Sequence, residues 1–158
     1  VKDIHGNVIA NTMPPMNFRI YWDGDLQEEL LGNLRKHQHF APCLMKGNGK
    51  EAVPLPLGNG KMLHEMGNSG SCNWSKATPN LQADLMGDWR EELIFWDTTD
   101  ASHLNIFTTN CTTKYRVTTL MHDHTYRMSV AWQNVSYNQP PHLGYYLPTI
   151  FLGEQTKY

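Results

Sequence analysis

The stretch NWSKATPNLQADLMGDWREELIFW, residues 73–96, decides how the rest of this chain is interpreted. It begins as a small polar loop with one lysine, Lys76, passes through an Asp/Gly turn and ends in the apolar run at residues 93–96. An apolar run without alternation is typical of a strand that is covered on both faces. The stretch therefore combines a candidate site with a turn-and-strand unit.

The turn in this stretch occurs a second time, earlier in the chain. Residues 24–30 (GDLQEEL) match residues 87–93 (GDWREEL), an offset of 87 − 24 = 63 residues. Each copy places an Asp/Gly turn just before an apolar strand, as a β-propeller blade with extended loops would do. Two such units cannot close a propeller. The repeat predicts an all-β fragment that needs neighbours to bury its sheet faces.

Alternating apolar and polar residues predict further strands, because successive side chains of a strand point to opposite faces. The predicted strands cover residues 18–22, 29–31, 38–45, 103–108, 115–120 and 145–152, with two short pieces around a turn within residues 1–9. Because the first of these pieces begins at once, we expect the sequence to start within a domain.

Two segments depart from this alternation. Residues 46–73 are rich in Gly and Pro and predict an irregular insert with one hairpin, in which Asn59-Gly60 forms the turn and residues 61–66 pair back. Residues 126–134 predict a short helix capped by Asp123, although the sequence MSVAW in this segment is equally consistent with a strand.

The composition limits the classes of partner. The 158 residues are 40% hydrophobic and 11% aromatic, which is enough for a packed core, and the net charge of −2 comes without any basic run. This argues against DNA, RNA and anionic membranes as partners. Three widely spaced cysteines, Cys43, Cys72 and Cys111, lack metal-ligand spacing and are interpreted as isolated buried thiols.

Four longer segments carry a resemblance to a known family. They are NFRIYWDGDLQEELL, SKATPNLQADLMGDWREELIFW, TLMHDHTYR and VAWQNVSYNQPPH, and they cover most of the chain outside the Gly/Pro-rich insert. Together they resemble the rhamnogalacturonan lyases built on an eight-bladed β-propeller. Because such proteins are several times longer, the resemblance implies that residues 1–158 are a C-terminal portion of about two to three blades. The remaining N-terminal blades of the same protein are then the expected partner.

The resemblance implies an activity and a site. The activity is cleavage of the rhamnose/galacturonate backbone of pectin by β-elimination, in a secreted, periplasmic or cell-surface protein of a bacterium. Carried over to this sequence, Lys76 is the candidate base or carboxylate partner, and Tyr137, Asn73 and Ser75 are substrate contacts. Trp74 stands where the family pattern has a glycine, and its ring could stack on a sugar face.

Calcium is the cofactor that the resemblance implies, with its principal sites outside this chain. Asp84, Asp88 and Glu92 stand at positions one, five and nine of a turn that resembles the calcium loops of such blades. Met86 occupies the middle ligand position, however. The first copy has also lost one ligand, since Tyr21 stands where Asp84 would be. We therefore expect both turns to be structural, with carboxylates that accept hydrogen bonds from backbone N–H groups.

Two alternative functions stay open at this point. The chain could be a non-catalytic module that holds pectin through Trp74 and Tyr137, or a calcium-stabilised structural propeller domain for protein contacts. In the lyase interpretation the chain alone is expected to be inactive, because further catalytic groups come from earlier blades.

Overall fold

The computed structural model describes residues 1–11, 17–33, 42–47, 51–66, 68–73, 76, 78–133, 135 and 138–152. Eight strands in this part of the chain form two four-stranded antiparallel sheets. The strands are β1 (Phe18–Ile20), β2 (Glu29–Asn33), β3 (Pro42–Gly47), β4 (Ala52–Pro54), β5 (Ser69–Gly70), β6 (Leu81–Ala83), β7 (Glu92–Asp97) and β8 (Leu104–Phe107). The prediction of an all-β chain is confirmed.

The helices are short. They are α1 (His124–Trp132) and α2 (Thr149–Leu152), with one turn of 3₁₀-helix at Leu63–Glu65 and another at Leu120–His122. The N-cap of α1 is Asp123, whose carboxylate accepts a hydrogen bond from the backbone N–H of Tyr126 at 2.9 Å. The predicted helix and its cap are therefore confirmed, and the strand alternative for MSVAW is wrong. In the described residues no helix has the length and apolar character that crossing a membrane requires.

The two sheets have related connections. The first runs in the order β1-β2-β3-β4, and in the second β7 pairs with β5, β6 and β8. In the first sheet Leu30 lies opposite Met45, and in the second Leu93 lies opposite Phe107. Leu30 and Leu93 are equivalent positions of the 63-residue repeat, so the strand that follows each turn pairs in the same register with the next strand along the chain.

The repeated turns share an unusual backbone conformation. Gly24 and Gly87 have φ of 84° and 75°, and two residues further on Leu26 and Trp89 have φ of 73° and 68°. A positive φ is uncommon in residues with a side chain, so its occurrence at the same repeat position is a specific structural match. Both side chains are buried in the same hydrophobic cluster, which offsets the cost of the backbone conformation.

A glutamate closes each turn in the same way. Glu29 accepts hydrogen bonds from the backbone N–H groups of Trp22 and Asp23 at 2.8 and 3.2 Å. Glu92 accepts hydrogen bonds from the residues seven and six positions before it, at 2.8 and 3.1 Å. The carboxylate thereby accepts hydrogen bonds from two backbone amides of the tight turn.

The core has two parts. One lies between the sheets and contains the inward side chains of β1, β2, β3 and β7 together with Leu63: Phe18, Ile20, Trp22, Leu31, Leu44, Leu93 and Phe95. The other surrounds α1 and contains Tyr21, Leu26, Trp89, Leu120, Tyr126 and Leu147. The second cluster joins both repeated turns to the C-terminal segment.

Three sequence predictions of strands are wrong. Residues 61–66 follow the predicted turn at Asn59-Gly60, closed by the Leu57 N–H to Lys61 C=O hydrogen bond, but they enter a 3₁₀-helix. Residues 115–120 form no strand, and residues 145–152 end in α2. The predicted strand at residues 38–45 is seen as β3 from Pro42 onward, and residues 38–41 lie outside the described part.

The three cysteines are free thiols, as the sequence predicts, but only Cys43 is buried. Cys72 is exposed and Cys111 is partly exposed, so the interpretation of all three as buried thiols is wrong.

Candidate functional site

The predicted site loop is closed at its base by backbone hydrogen bonds. The N–H of Cys72 donates to the carbonyl of Thr78 at 2.8 Å, and Thr78 is buried. Inside the loop, the N–H of Lys76 donates to the carbonyl of Asn73 at 3.3 Å, so Lys76 stands at a turn and is half-buried. Trp74 and Ser75 lie outside the described residues.

A pair of glutamines ties the end of α1 to β6, the strand that follows this loop. The N–H of Gln82 donates to the side-chain oxygen of Gln133 at 2.9 Å, and the side-chain NH₂ of Gln133 donates to the carbonyl of Gln82 at 2.6 Å. Both residues are buried. The side-chain amide of Gln133 thus pairs with the backbone of Gln82 as a neighbouring strand would. This pairing fixes the position of the chain at the end of α1.

A second contact holds the chain at Asn138, the residue that follows Tyr137 in the sequence. The side-chain NH₂ of Asn138 donates to the carbonyl of Pro79 at 3.0 Å. The segment that contains Tyr137 is thus anchored before it by Gln133 and after it by Asn138, both against residues 79–82. Tyr137 itself lies outside the described residues. The structure brings together the two segments that carry the predicted site residues, and the roles of the individual side chains stay predictions.

A buried carboxylate, that of Glu91, binds residues of the elements that position these two segments. Glu91 accepts hydrogen bonds from the Tyr126 hydroxyl at 2.7 Å, the backbone N–H of Tyr21 at 2.9 Å and the side-chain NH₂ of Gln82 at 2.9 Å. Burial raises the pKa of Glu91 to about 7, and these hydrogen bonds oppose the rise. Glu91 connects α1, β6 and the residue that follows β1.

Sequence reasoning missed these supporting residues. Gln82 lies in a short strand between two apolar neighbours, and this position alone signals a buried polar side chain that needs partners. Glu91 and Glu92 are adjacent and both are buried, which alternation does not predict, because neighbouring residues of an extended chain face opposite sides. Nothing in the sequence identifies Gln133 as the partner of Gln82.

The predicted metal ligands already have partners. Asp84, which is buried, accepts hydrogen bonds from the backbone N–H groups of Asp88, Trp89 and Leu120 and from the Thr119 hydroxyl, at 2.7–3.2 Å. Asp88 is paired with the guanidinium of Arg90. Both oxygens of Glu92 are also used, one by the two turn amides and the other by the Thr108 hydroxyl at 3.0 Å.

These three carboxylates do not fit a calcium site. Calcium needs several oxygens that converge on one point. Among the described residues, the acidic set with one oxygen each within 4.8 Å of the others is Asp23, Asp25 and Glu29, in the first turn. That set already surrounds an ammonium group: Lys46 Nζ contacts Asp23 and lies 2.6 Å from Asp25 and 3.4 Å from Glu29.

The sequence and the fold both match known rhamnogalacturonan lyases. A family model described as rhamnogalacturonan lyase family 11, C-terminal domain, matches residues 1–155. The chain is 46% identical over 131 residues to rhamnogalacturonan endolyase YesW of Bacillus subtilis (strain 168), which covers 83% of this chain and 19% of that protein. It is 43% identical over 145 residues to rhamnogalacturonan exolyase YesX of the same organism, covering 91% of this chain and 22% of that protein.

Solved structures give the same result. The crystal structure of the exotype rhamnogalacturonan lyase YesX matches with a TM-score of 0.75 at 40% identity, over 90% of this chain and 22% of that one. The rhamnogalacturonan lyase PL11 of Bacillus licheniformis matches with a TM-score of 0.68 at 41% identity, over 90% of this chain and 21% of that one. The chain thus spans about a fifth of the length of these relatives. From the match over almost its whole length, this chain belongs to the family of rhamnogalacturonan lyase family 11 C-terminal domains.

Proposed function

We propose that this chain is the C-terminal part of a rhamnogalacturonan lyase that cleaves the rhamnose/galacturonate backbone of pectin by β-elimination. The observation that carries the proposal is the match of residues 1–155 to the C-terminal domain of rhamnogalacturonan lyase family 11. The hydrogen bond from Asn138 to Pro79 supports it, because Pro79 follows the loop of Lys76 directly in the chain. In the complete protein, residues 1–158 contribute about two to three blades of a β-propeller and one wall of the substrate cleft.

The chemistry assigns a role to the loop. β-Elimination removes the proton α to the uronate carboxylate, builds negative charge on that carboxylate as an enolate, and expels the oxygen substituent at C4 to leave an unsaturated uronate. Lys76 removes the proton or pairs with the carboxylate, and both roles need its amine next to the uronate. Asn73, Trp74, Ser75 and Tyr137 position the sugar ring.

The wider setting of the activity follows from the substrate. Pectin is an extracellular polymer, so the protein acts in the secreted, periplasmic or cell-surface space of a bacterium. We expect the principal calcium sites of the complete protein to lie outside the two repeated turns, because the acidic side chains of both turns already have partners. One of the relatives above is an endolyase and the other an exolyase.

Two substitutions of Lys76 in the full-length protein test the proposal. With Lys76→Ala we expect the formation of unsaturated uronate from rhamnogalacturonan to fall by about 10²–10⁴-fold while the melting temperature is unchanged, because a proton-transfer or charge-stabilising group is lost. Lys76→Arg separates the roles: arginine keeps the charge but cannot act as a base, so activity survives only if Lys76 is a carboxylate partner.

The matched control is Lys61→Ala, which removes an exposed lysine elsewhere in the chain. It should leave the rate of uronate formation unchanged. Near-normal activity of the Lys76→Ala protein would rule out the proposed role of Lys76, and absence of any lyase activity in the unmodified full-length protein would rule out the proposed function.

A further inference from the structure

The first repeated turn concentrates negative charge. One carboxylate oxygen each of Asp23, Asp25 and Glu29 lies within 4.8 Å of the other two, and the side chain of Glu29 is 1% exposed. Carboxylates at this separation repel one another, most strongly where water is excluded. Burial, followed by the charge of Asp23, accordingly raises the pKa of Glu29 to about 7. A turn of this kind needs a compensating cation.

The cation is supplied by β3. Lys46 Nζ contacts Asp23, lies 2.6 Å from Asp25 Oδ2 and lies 3.4 Å from Glu29 Oε1, so a single ammonium reaches all three carboxylates. Although partial burial lowers the pKa of Lys46, its hydrogen bonds to Asp23 and Asp25 raise it above the ordinary value overall. Lys46 is therefore charged at every pH at which the three carboxylates are charged.

The second turn shows what the same scaffold contains when the acid at the position of Asp23 is replaced by an uncharged residue. Because Leu30 lies opposite Met45 and Leu93 lies opposite Phe107, Thr108 occupies the register position of Lys46. The Thr108 hydroxyl donates to Glu92 Oε1 at 3.0 Å, the atom that corresponds to the Glu29 oxygen near Lys46.

The acid at the position of Asp23 and the ammonium at the position of Lys46 are both present in the first turn and both absent from the second. Residue 23 + 63 = 86 is Met86, so the second turn has methionine where the first has Asp23. The turn with Asp23 has a lysine at the paired position, and the turn with Met86 has an uncharged threonine. The other acid of the second turn, Asp84, stands at the position of Tyr21 and is satisfied by backbone N–H groups and the Thr119 hydroxyl. The charge of Asp23 is thus balanced within the chain by Lys46.

We propose that Lys46 is the resident counter-cation of the first turn, and that the turn is a latent divalent-cation site in which this ammonium takes the place of a calcium ion. The unmodified turn then binds no calcium. Removal of the ammonium leaves three hard carboxylate ligands around one point, which is the ligand chemistry that Ca²⁺ prefers. The inference does not depend on the proposed lyase activity.

The test is Lys46→Thr in the full chain, which installs the residue of the second turn. The melting temperature is measured in EDTA and in CaCl₂, and calcium binding is measured by isothermal titration calorimetry. We expect the variant to melt below the unmodified chain in EDTA and to gain roughly 5–10 °C at a hundredfold excess of calcium over its Kd. It should bind one more equivalent of calcium than the unmodified chain.

Two further variants complete the design. Lys61→Thr removes an exposed lysine and should leave both the melting temperature and the calcium titration unchanged. Asp23→Met combined with Lys46→Thr copies the second turn at both positions, so we expect it to melt above Lys46→Thr in EDTA and to be indifferent to calcium. This double variant keeps the test informative if Lys46→Thr folds only with calcium.

Two results would overturn the inference. One is a Lys46→Thr chain that folds and binds no more calcium than the unmodified chain. The other is an unmodified chain that binds an equivalent of calcium and loses it with Asp23→Asn, because the ammonium would then not exclude the metal.

Discussion

Glu91 is a carboxyl group in an environment that largely excludes water. It is buried, and it accepts three hydrogen bonds from Tyr126, Tyr21 and Gln82, none of which carries a charge. Burial raises its pKa from 4.5 to about 7. The folded protein therefore holds a proton on Glu91 over a pH range in which the unfolded chain has released it.

The sign of the resulting pH dependence follows from proton binding. Below about pH 4.5 the carboxyl is protonated in both states, and above about pH 7 it is ionised in both. Between these values the folded state binds more protons, so the free energy of unfolding falls as the pH rises, by about 3 kcal/mol in total from this group. Glutamine cannot ionise, so Glu91→Gln should remove this fall.

Urea unfolding at pH 5 and pH 8 measures the effect. We expect the midpoint of the unmodified chain to drop more between these pH values than that of Glu91→Gln. The control is Glu28→Gln, at the same position of the repeat, because the Glu28 side chain is 28% exposed and lies beside Arg19. Parallel midpoint curves for the unmodified chain and Glu91→Gln would show that Glu91 does not carry the pH dependence.

At the scale of elements, Gln133 holds the C-terminal end of α1 to β6. Gln133 forms two hydrogen bonds with the backbone of Gln82, and Gln133→Ala leaves the buried N–H and C=O of Gln82 without these partners. Each unsatisfied group costs about 1–3 kcal/mol. Since Gln133 also anchors the chain just before Tyr137, we expect the substitution to loosen that wall of the site as well as destabilise the fold.

Amide hydrogen exchange of the full chain tests this anchor. In Gln133→Ala the amide of Gln82 should exchange at least tenfold faster, and the free energy of unfolding should fall by about 2–3 kcal/mol. Gln139→Ala is the matched control, because Gln139 is exposed and lies beyond the anchored segment. Unchanged protection of the Gln82 amide in Gln133→Ala would contradict the assignment.

The elements also show what the sequence could predict. The repeated Asp/Gly turns, the strands beside them and the cap of α1 were predictable, because each depends on residues close together in the chain. The family resemblance names the segments of the candidate site, whose residue roles stay predictions. Their proximity was not predictable, since the contacts of Gln133 and Asn138 join residues 51 and 59 positions apart.

The failed strand predictions have physical causes. In residues 115–120, Tyr115 and Val117 pack on the cluster around α1. The alternation of apolar and polar residues therefore arises because one side of this segment is buried, although the segment pairs with no strand in the described part of the chain. In residues 145–152, Pro148 cannot donate a backbone hydrogen bond, and its fixed φ suits the start of a helix, which begins at Thr149. Periodicity reports which side of a segment is covered, and it does not report what covers it.

At the scale of the whole molecule, one face of the second sheet has no cover in the described residues. Leu104 and Ile106 of β8 are 58% and 57% exposed, and their partners across the ladder, Trp96 and Ile94, are half-buried. The other face of this sheet packs into the core through Leu93 and Phe95. An apolar outer face of this kind marks a surface for association. It agrees with a chain that spans about a fifth of the length of its relatives.

Replacement of both outer residues tests whether this face packs against the rest of the protein. Leu104→Ser combined with Ile106→Ser should destabilise the full-length protein by about 2–4 kcal/mol, because two apolar side chains lose a buried environment. In the isolated chain, where this face meets water, the same change should cost less than about 1 kcal/mol and should reduce self-association in sedimentation velocity. Val8→Ser is the control, since Val8 is 60% exposed and lies outside both sheets. Equal destabilisation of the isolated chain and the full-length protein would show that β8 faces solvent in both.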